Sequence, residues 1–177
     1  HPVTLNQKSA FNDMKEIFNA LNKLKNTKKI FTMPNADSGG LLIYNMIKKF
    51  VKNKKNNSLL FKSLGQKMYF SVMKNSDLVL GNSSSGILES PSLKKPSINL
   101  GDRQKGRIKA KSTITCEPNS KIILKSIKTA LSKKFIQNIN LSKSPYEKTN
   151  PSKKIFNKIL KLNLNNILKK TFYDLKV

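Results

Sequence analysis

Asp77-Leu78-Val79-Leu80-Gly81-Asn82-Ser83-Ser84-Ser85-Gly86-Ile87-Leu88-Glu89 is the stretch on which the fold turns. Residues 77–80 form a short apolar run with turn-like flanks, the pattern of a buried strand. Ile87, Leu88 and Leu93 then predict one turn or more of helix, stopped before Pro96. A strand, a small-residue turn and a helix start form a local plan for binding phosphate. Backbone N–H groups at a helix start lack intrahelical partners, and the helix dipole adds positive potential there. Ser83, Ser84 and Ser85 add hydroxyl donors, and Gly86 is expected to let a ligand approach the backbone. Glu89, about one turn further on, offers a carboxylate to sugar hydroxyls. The plainer alternative is a serine cap on an ordinary crossover helix.

The same alternation extends to both sides. Residues 9–24 carry Phe11, Met14, Ile17, Phe18, Leu21 and Leu24 at helical spacing. Residues 28–33 read as a strand, 34–40 as a polar turn and 41–51 as a second helix. Residues 58–61 are a third candidate strand, 63–66 a loop and 67–74 a short helix. Beyond the serine turn come a strand at 96–100, a basic glycine loop at 101–107, a strand at 112–116 and a helix at 120–131. Such alternation predicts an α/β fold, a parallel sheet with helices on both faces. Ligands in such sheets sit beyond the carboxyl ends of the strands. That rule gathers four turns on one rim: residues 1–4, 34–40, 81–86 and 101–107. After Lys133 the pattern weakens to a turn at Ser144-Pro145-Tyr146 and a Lys/Asn-rich helix or pair of helices over 151–173. The expected division is a domain over 1–150 and a helical tail over 151–177.

A chain of 177 residues can build one domain with a substantial core. No apolar run is long enough to span a bilayer, and the first residues show no basic-then-apolar leader. Cys116 is the single cysteine, so no internal disulfide or cysteine metal cluster is expected. A cytoplasmic protein with no membrane partner is the expectation. The formal charge of +26 invites a nucleic-acid reading. Yet the basic residues are almost all lysine, spread along the chain, with no interleaving of aromatic and basic residues. No specific nucleic-acid partner is expected.

The polar turns hold the remaining chemistry. His1, the only histidine, stands beside Pro2 in a segment that reads as leaving a strand upstream of it, so the chain reads as a fragment. Its alternatives are ligand contact and a structural role. Arg103 and Arg107, the only arginines, share one glycine loop in a chain that otherwise uses lysine. A planar donor fork for a phosphate or carboxylate is one reading, a surface ion pair with Asp102 the other. Asn35 and Asp37 either bind a sugar or nucleotide, or serve the following helix, with Asp37 or Ser38 as its cap. No metal-ligand spacing exists, no cofactor is implied, and no Ser–His–acid triad is credible.

Taken together, His1-Pro2-Val3-Thr4, Pro34-Asn35-Ala36-Asp37-Ser38-Gly39-Gly40, the serine turn and Gly101-Asp102-Arg103-Gln104-Lys105-Gly106-Arg107 resemble the UDP-N-acetylglucosamine 2-epimerases. The resemblance is strongest to the hydrolysing branch of sialic and legionaminic acid synthesis, and covers roughly the first 150 residues in order and spacing. It implies a Rossmann-like three-layer fold, the C-terminal half of a glycosyltransferase-B-type enzyme that binds a UDP-sugar between two domains. By resemblance, Ser83, Ser84, Ser85, Gly86 and the turn's backbone hold the diphosphate, Glu89 the ribose, and Arg103, with Arg107 beside it, the phosphates or sugar. His1, Asn35 and Asp37 face the substrate, and residues 63–66 lie near the uracil. The acidic catalytic residues of the family sit largely in its N-terminal domain, which becomes an expected partner. A homo-oligomer of the longer protein is also implied. Pro145-Tyr146-Glu147 departs from the family's Pro-Tyr-Gly turn. The alternatives to an enzyme half are a nucleotide-sugar binding module without chemistry and a basic nucleic-acid-binding protein.

Overall fold

The computed structural model describes residues 1–2, 7–35 and 39–165. It has two compact units, His1–Tyr146 and Glu147–Val177. The first opens with α1 (Gln7–Asn22), β1 (Lys29–Thr32), α2 (Gly40–Lys52), β2 (Ser58–Phe61) and α3 (Gly65–Asn75). It continues with β3 (Val79–Gly81), α4 (Ser85–Leu88), β4 (Ser97–Leu100), β5 (Thr113–Cys116), α5 (Ser120–Ala130) and α6 (Lys133–Leu141). The second holds α7 (Pro151–Leu160), with Pro151 at the helix start where its missing N–H costs nothing. The remainder of the long helix expected up to residue 173 lies partly outside the described residues.

All strand pairs are parallel, as the alternation predicts, but they form two sheets, β1-β2 and β3-β4-β5. The helix α1 bridges them on one face. Its Ala10 and Met14 pack with Ile43 and Ile47 of α2 against Phe31 and Leu60. Its Ala20 joins Ile123, Ile127 and Ala130 of α5 against Ile98 and Leu100. The Phe18 ring stacks on Phe50 at 4.4 Å, with Phe31 edge-on to both, tying α1, β1 and α2 together.

Side chains alternate across β4. Ile98 and Leu100 meet α5, while Ser97 turns to the opposite face and donates to the Gly86 carbonyl of α4 at 2.6 Å. The β3-β4-β5 sheet is therefore covered on both faces. The β1-β2 sheet is not: Ile30, Leu59 and Phe61, 42%, 43% and 37% exposed, share the face away from α1 and α2.

The α4 helix is a single turn, shorter than its apolar residues allow. Pro91 disfavours helical geometry at Ser90, and the chain instead folds through turns that return Lys95 N–H to the Ser90 carbonyl. Leu93 lies in those turns rather than in the helix. Conversely, α6 forms where the sequence pattern looked weak. Ser132 caps it through Phe135 N–H, and Ile139 is its buried anchor.

Candidate functional site

The strand β3 ends at Gly81, whose φ of 150° lies in the region that favours glycine and turns the chain sharply into Asn82. Asn82 is the hub of the rim. Its side-chain amide grips the backbone of His1 from both sides: Oδ1 accepts from the His1 amino group at 2.7 Å, and Nδ2 donates to the His1 carbonyl at 2.8 Å. Its own carbonyl accepts from Arg103 Nη1 at 3.1 Å and Gln104 Nε2 at 2.8 Å. His1 Nδ1 in turn accepts from Asn35 N–H at 3.0 Å, which puts the proton of the neutral imidazole on Nε2. His1, Asn35, Asn82 and the Arg103–Gln104 pair are thus joined by one chain of hydrogen bonds.

The serine turn is internally braced. Ser83 Oγ accepts from Ser85 N–H at 3.3 Å, and Ser85 Oγ bonds Tyr69 of α3 at 2.6 Å. The N–H groups of Gly86, Ile87 and Leu88 point back to the carbonyls of Ser83 and Ser84. With only one helical turn behind it, little macrodipole builds up here. The role expected for Gly86 changes too. A Cβ there would meet Ser97 and Val79 at 3.6–3.9 Å, so its open side faces the strands rather than a ligand. Glu89 closes the turn; its Oε2 is buried without a hydrogen-bond partner among the described residues. Gln104, 2% exposed, likewise leaves Oε1 without one.

Of the other expected site residues, Asn35 is exposed at the rim and Asp37 lies outside the described residues. The cap position of α2 is held by Gly39, which has no side chain to donate or accept. Arg107 is exposed, with its N–H on the Gln104 carbonyl. In the 63–66 loop, Ser63 Oγ accepts from Gly65 N–H, and α3 begins at Gly65 rather than at Lys67. Asn82, Gln104 and Tyr69 were not singled out by sequence. Asn82 could have been, as the residue between Gly81 and the serines; Tyr69 sits on an ordinary helical face and carries no such signal. Among the described residues no three His, Cys, Asp or Glu side chains gather as a metal site, and no helix is long and apolar enough to cross a membrane.

The family profile for UDP-N-acetylglucosamine 2-epimerase matches residues 1–160. The chain is 42% identical over 176 residues to a Campylobacter jejuni protein named GDP/UDP-N,N'-diacetylbacillosamine 2-epimerase (hydrolyzing), covering 99% of this chain and 45% of that one. It is 38% identical over 151 residues to a polysialic acid biosynthesis protein of Escherichia coli, covering 85% of this chain and 38% of that one. It thus spans less than half the length of these relatives. The solved UDP-GlcNAc 2-epimerase of Methanocaldococcus jannaschii, in complex with UDP-GlcNAc and UDP, superposes with a TM-score of 0.70 at 21% identity, over 89% of this chain and 42% of that one. That likeness carries the fold, a Rossmann-like portion of a glycosyltransferase-B-type architecture. By its sequence profile, matched over residues 1–160, the chain belongs to the UDP-N-acetylglucosamine 2-epimerase family.

Proposed function

We propose that this chain is the UDP-binding half of a hydrolysing UDP-sugar 2-epimerase, acting in a longer protein. In the reaction, the C2 proton is removed and the C1–O bond to UDP breaks, leaving a C1=C2 glycal. Water then adds its hydroxyl at C1 and a proton returns to C2 on the opposite face, giving an N-acetylmannosamine-type sugar and free UDP. The substrate is a UDP-linked 2-acetamido sugar, either UDP-N-acetylglucosamine or a diacetamido sugar of the kind named for the Campylobacter relative.

The observation that carries this reading is Glu89 Oε2, buried behind the serine turn with no protein partner among the described residues. A buried carboxylate oxygen left unpaired is costly, and ribose hydroxyls are donors of the right chemistry to satisfy it. Ser83, Ser84 and Arg103 lie on the same turn system, where a diphosphate bound beside the ribose meets hydroxyls and a guanidinium. Glu89 then acts as a ribose ligand, and the proton transfers at C1 and C2 fall to groups of the other domain. Titration with UDP, followed by amide chemical shifts, tests the assignment. Shifts are expected at residues 83–89 and at Arg103; shifts elsewhere with none at 83–89 would overturn it.

A further inference from the structure

The three serines of the turn after β3 are not equivalent. Ser83 and Ser84 are half-buried, whereas Ser85 is 9% exposed. Ser83 Oγ accepts from Ser85 N–H and keeps its own proton to donate, and the Ser84 hydroxyl caps no helix N–H. Every polar group of Ser85, by contrast, is engaged within the protein. Its N–H goes to Ser83 Oγ, its carbonyl accepts from Glu89 and Ser90 N–H, and its hydroxyl lies 2.6 Å from Tyr69 Oη. That last bond, at the short end of ordinary hydroxyl–hydroxyl distances, joins α3 to the turn.

The turn is otherwise fastened at its ends. The Asn82 carbonyl accepts from Arg103 and Gln104, and the Gly86 carbonyl accepts from Ser97 of β4. Between these points, the Tyr69 bond is the one hydrogen bond from Ser83, Ser84 or Ser85 to a described residue outside 82–90. The helix behind supplies no other tie, because α4 is a single turn and its cap residue Ser84 makes no side-chain bond. Tyr69 is itself well placed to hold: Met73, one turn further along the same face of α3, is that helix's buried anchor.

We infer that Tyr69 is a positioning residue for the diphosphate: by holding the Ser85 hydroxyl, it fixes the backbone arc from which Ser83 and Ser84 reach the ligand. The inference rests on the UDP reading above and narrows it. The ligand hydroxyls become those of Ser83 and Ser84, and Ser85 serves the turn itself. Donors already in place bind a ligand more tightly than donors that must first be ordered, so releasing the arc weakens UDP although Tyr69 does not touch it. Tyr69→Phe removes one oxygen and keeps the ring; Ser85→Ala removes the same bond from its other end. In the contrary arrangement Tyr69 donates to Ser85 and Ser85 donates onward to a phosphate, which would make Ser85 a ligand.

The test titrates UDP and uridine, followed by amide shifts, into the parent chain, Tyr69→Phe, Ser85→Ala and the double variant. Each single variant should weaken UDP by about fivefold, and the double variant no more than either alone, since both remove one bond. Uridine, which lacks the phosphates, should bind all four forms alike. A loss of UDP affinity in Ser85→Ala well beyond that in Tyr69→Phe, or losses that add in the double variant, would make Ser85 a ligand and overturn the inference. Unchanged UDP affinity in Tyr69→Phe beside a lowered melting temperature overturns it too, as does an equal loss for uridine; either leaves Tyr69 a purely structural role. A parent chain whose residues 83–89 do not shift with UDP would instead overturn the UDP reading, and the role of Tyr69 with it.

Discussion

At the residue scale, two charged side chains tie separate segments of the chain together. Arg103 donates from Nη1 to the Asn82 carbonyl, beside the serine turn, and is the guanidinium proposed above for the phosphates. Arg103→Lys keeps the charge and loses the fork. In a longer, active protein carrying this chain, the fall in kcat/KM for Arg103→Lys should exceed that for Lys105→Ala by about tenfold, or ~1.4 kcal/mol. Lys105 is exposed on the same loop, so equal losses would mean a diffuse basic patch. Glu16 of α1 reaches α5, where its Oε2 accepts from Ser120 N–H at 2.7 Å beside the Asn119 cap. The Ser120 backbone hydrogen bond, above all, pulls its pKa below the usual 4.5. Its contribution to stability is therefore fully present above that value and is lost as pH falls through the lowered one. Glu16→Gln should lower the melting temperature at pH 7, and the gap from the parent should close on acidification. A gap that stays constant with pH would assign the effect to packing.

At the scale of elements, strand positions were legible because each is a short apolar run bounded by turn residues. Residues 58–61 match β2 end for end, and the other strands match within a residue or two. What sequence misjudged were helices governed by one backbone constraint. Pro91 cuts α4 to a single turn, and the Ser132 cap starts α6 in a stretch whose apolar signal is short, with Ile139 its one buried residue. The rim could be placed, since the turns after β1, β3 and β4 each follow a strand, but the hydrogen bonds that tie it through Asn82 depend on tertiary approach that no local pattern encodes. Gly40 shows the same limit. Sequence suggests only a flexible turn before α2, whereas a Cβ at Gly40 would sit 2.3 Å from the Asn35 carbonyl oxygen. Alanine is the better helix former by about 0.8–1.0 kcal/mol. Against that, forcing the Asn35 backbone aside costs typically 1–3 kcal/mol, so the clash wins. Gly40→Ala should lower the melting temperature and loosen the Asn35 contact to His1, seen as faster exchange of the Asn35 amide. An unchanged or raised melting temperature would show that the turn yields freely.

For the molecule as a whole, the question is what a rim rich in donors can do by itself. The charge of +26 draws any polyanion, so weak salt-sensitive binding of nucleotides or nucleic acid is expected of the whole surface and says little about the site. Chemistry is more demanding. Removing a C2 proton while UDP departs from C1 calls for a positioned base and a positioned acid on either side of the sugar. Among the described rim residues the titratable candidates are few. His1 Nδ1 is engaged by Asn35 N–H, and Glu89, with Oε2 buried and unpartnered among the described residues, is the group proposed above for the ribose. A sugar bound only at this rim also stays in water, where each charge interaction is far weaker than in a closed cleft. The chain alone should therefore bind UDP without releasing it from UDP-N-acetylglucosamine, even at high protein concentration. Supplying the other domain of the longer protein should restore turnover, with Glu89→Gln then raising KM more than it lowers kcat. Steady UDP release by this chain alone, abolished by Glu89→Gln, would make Glu89 a catalytic group and overturn its assignment to the ribose.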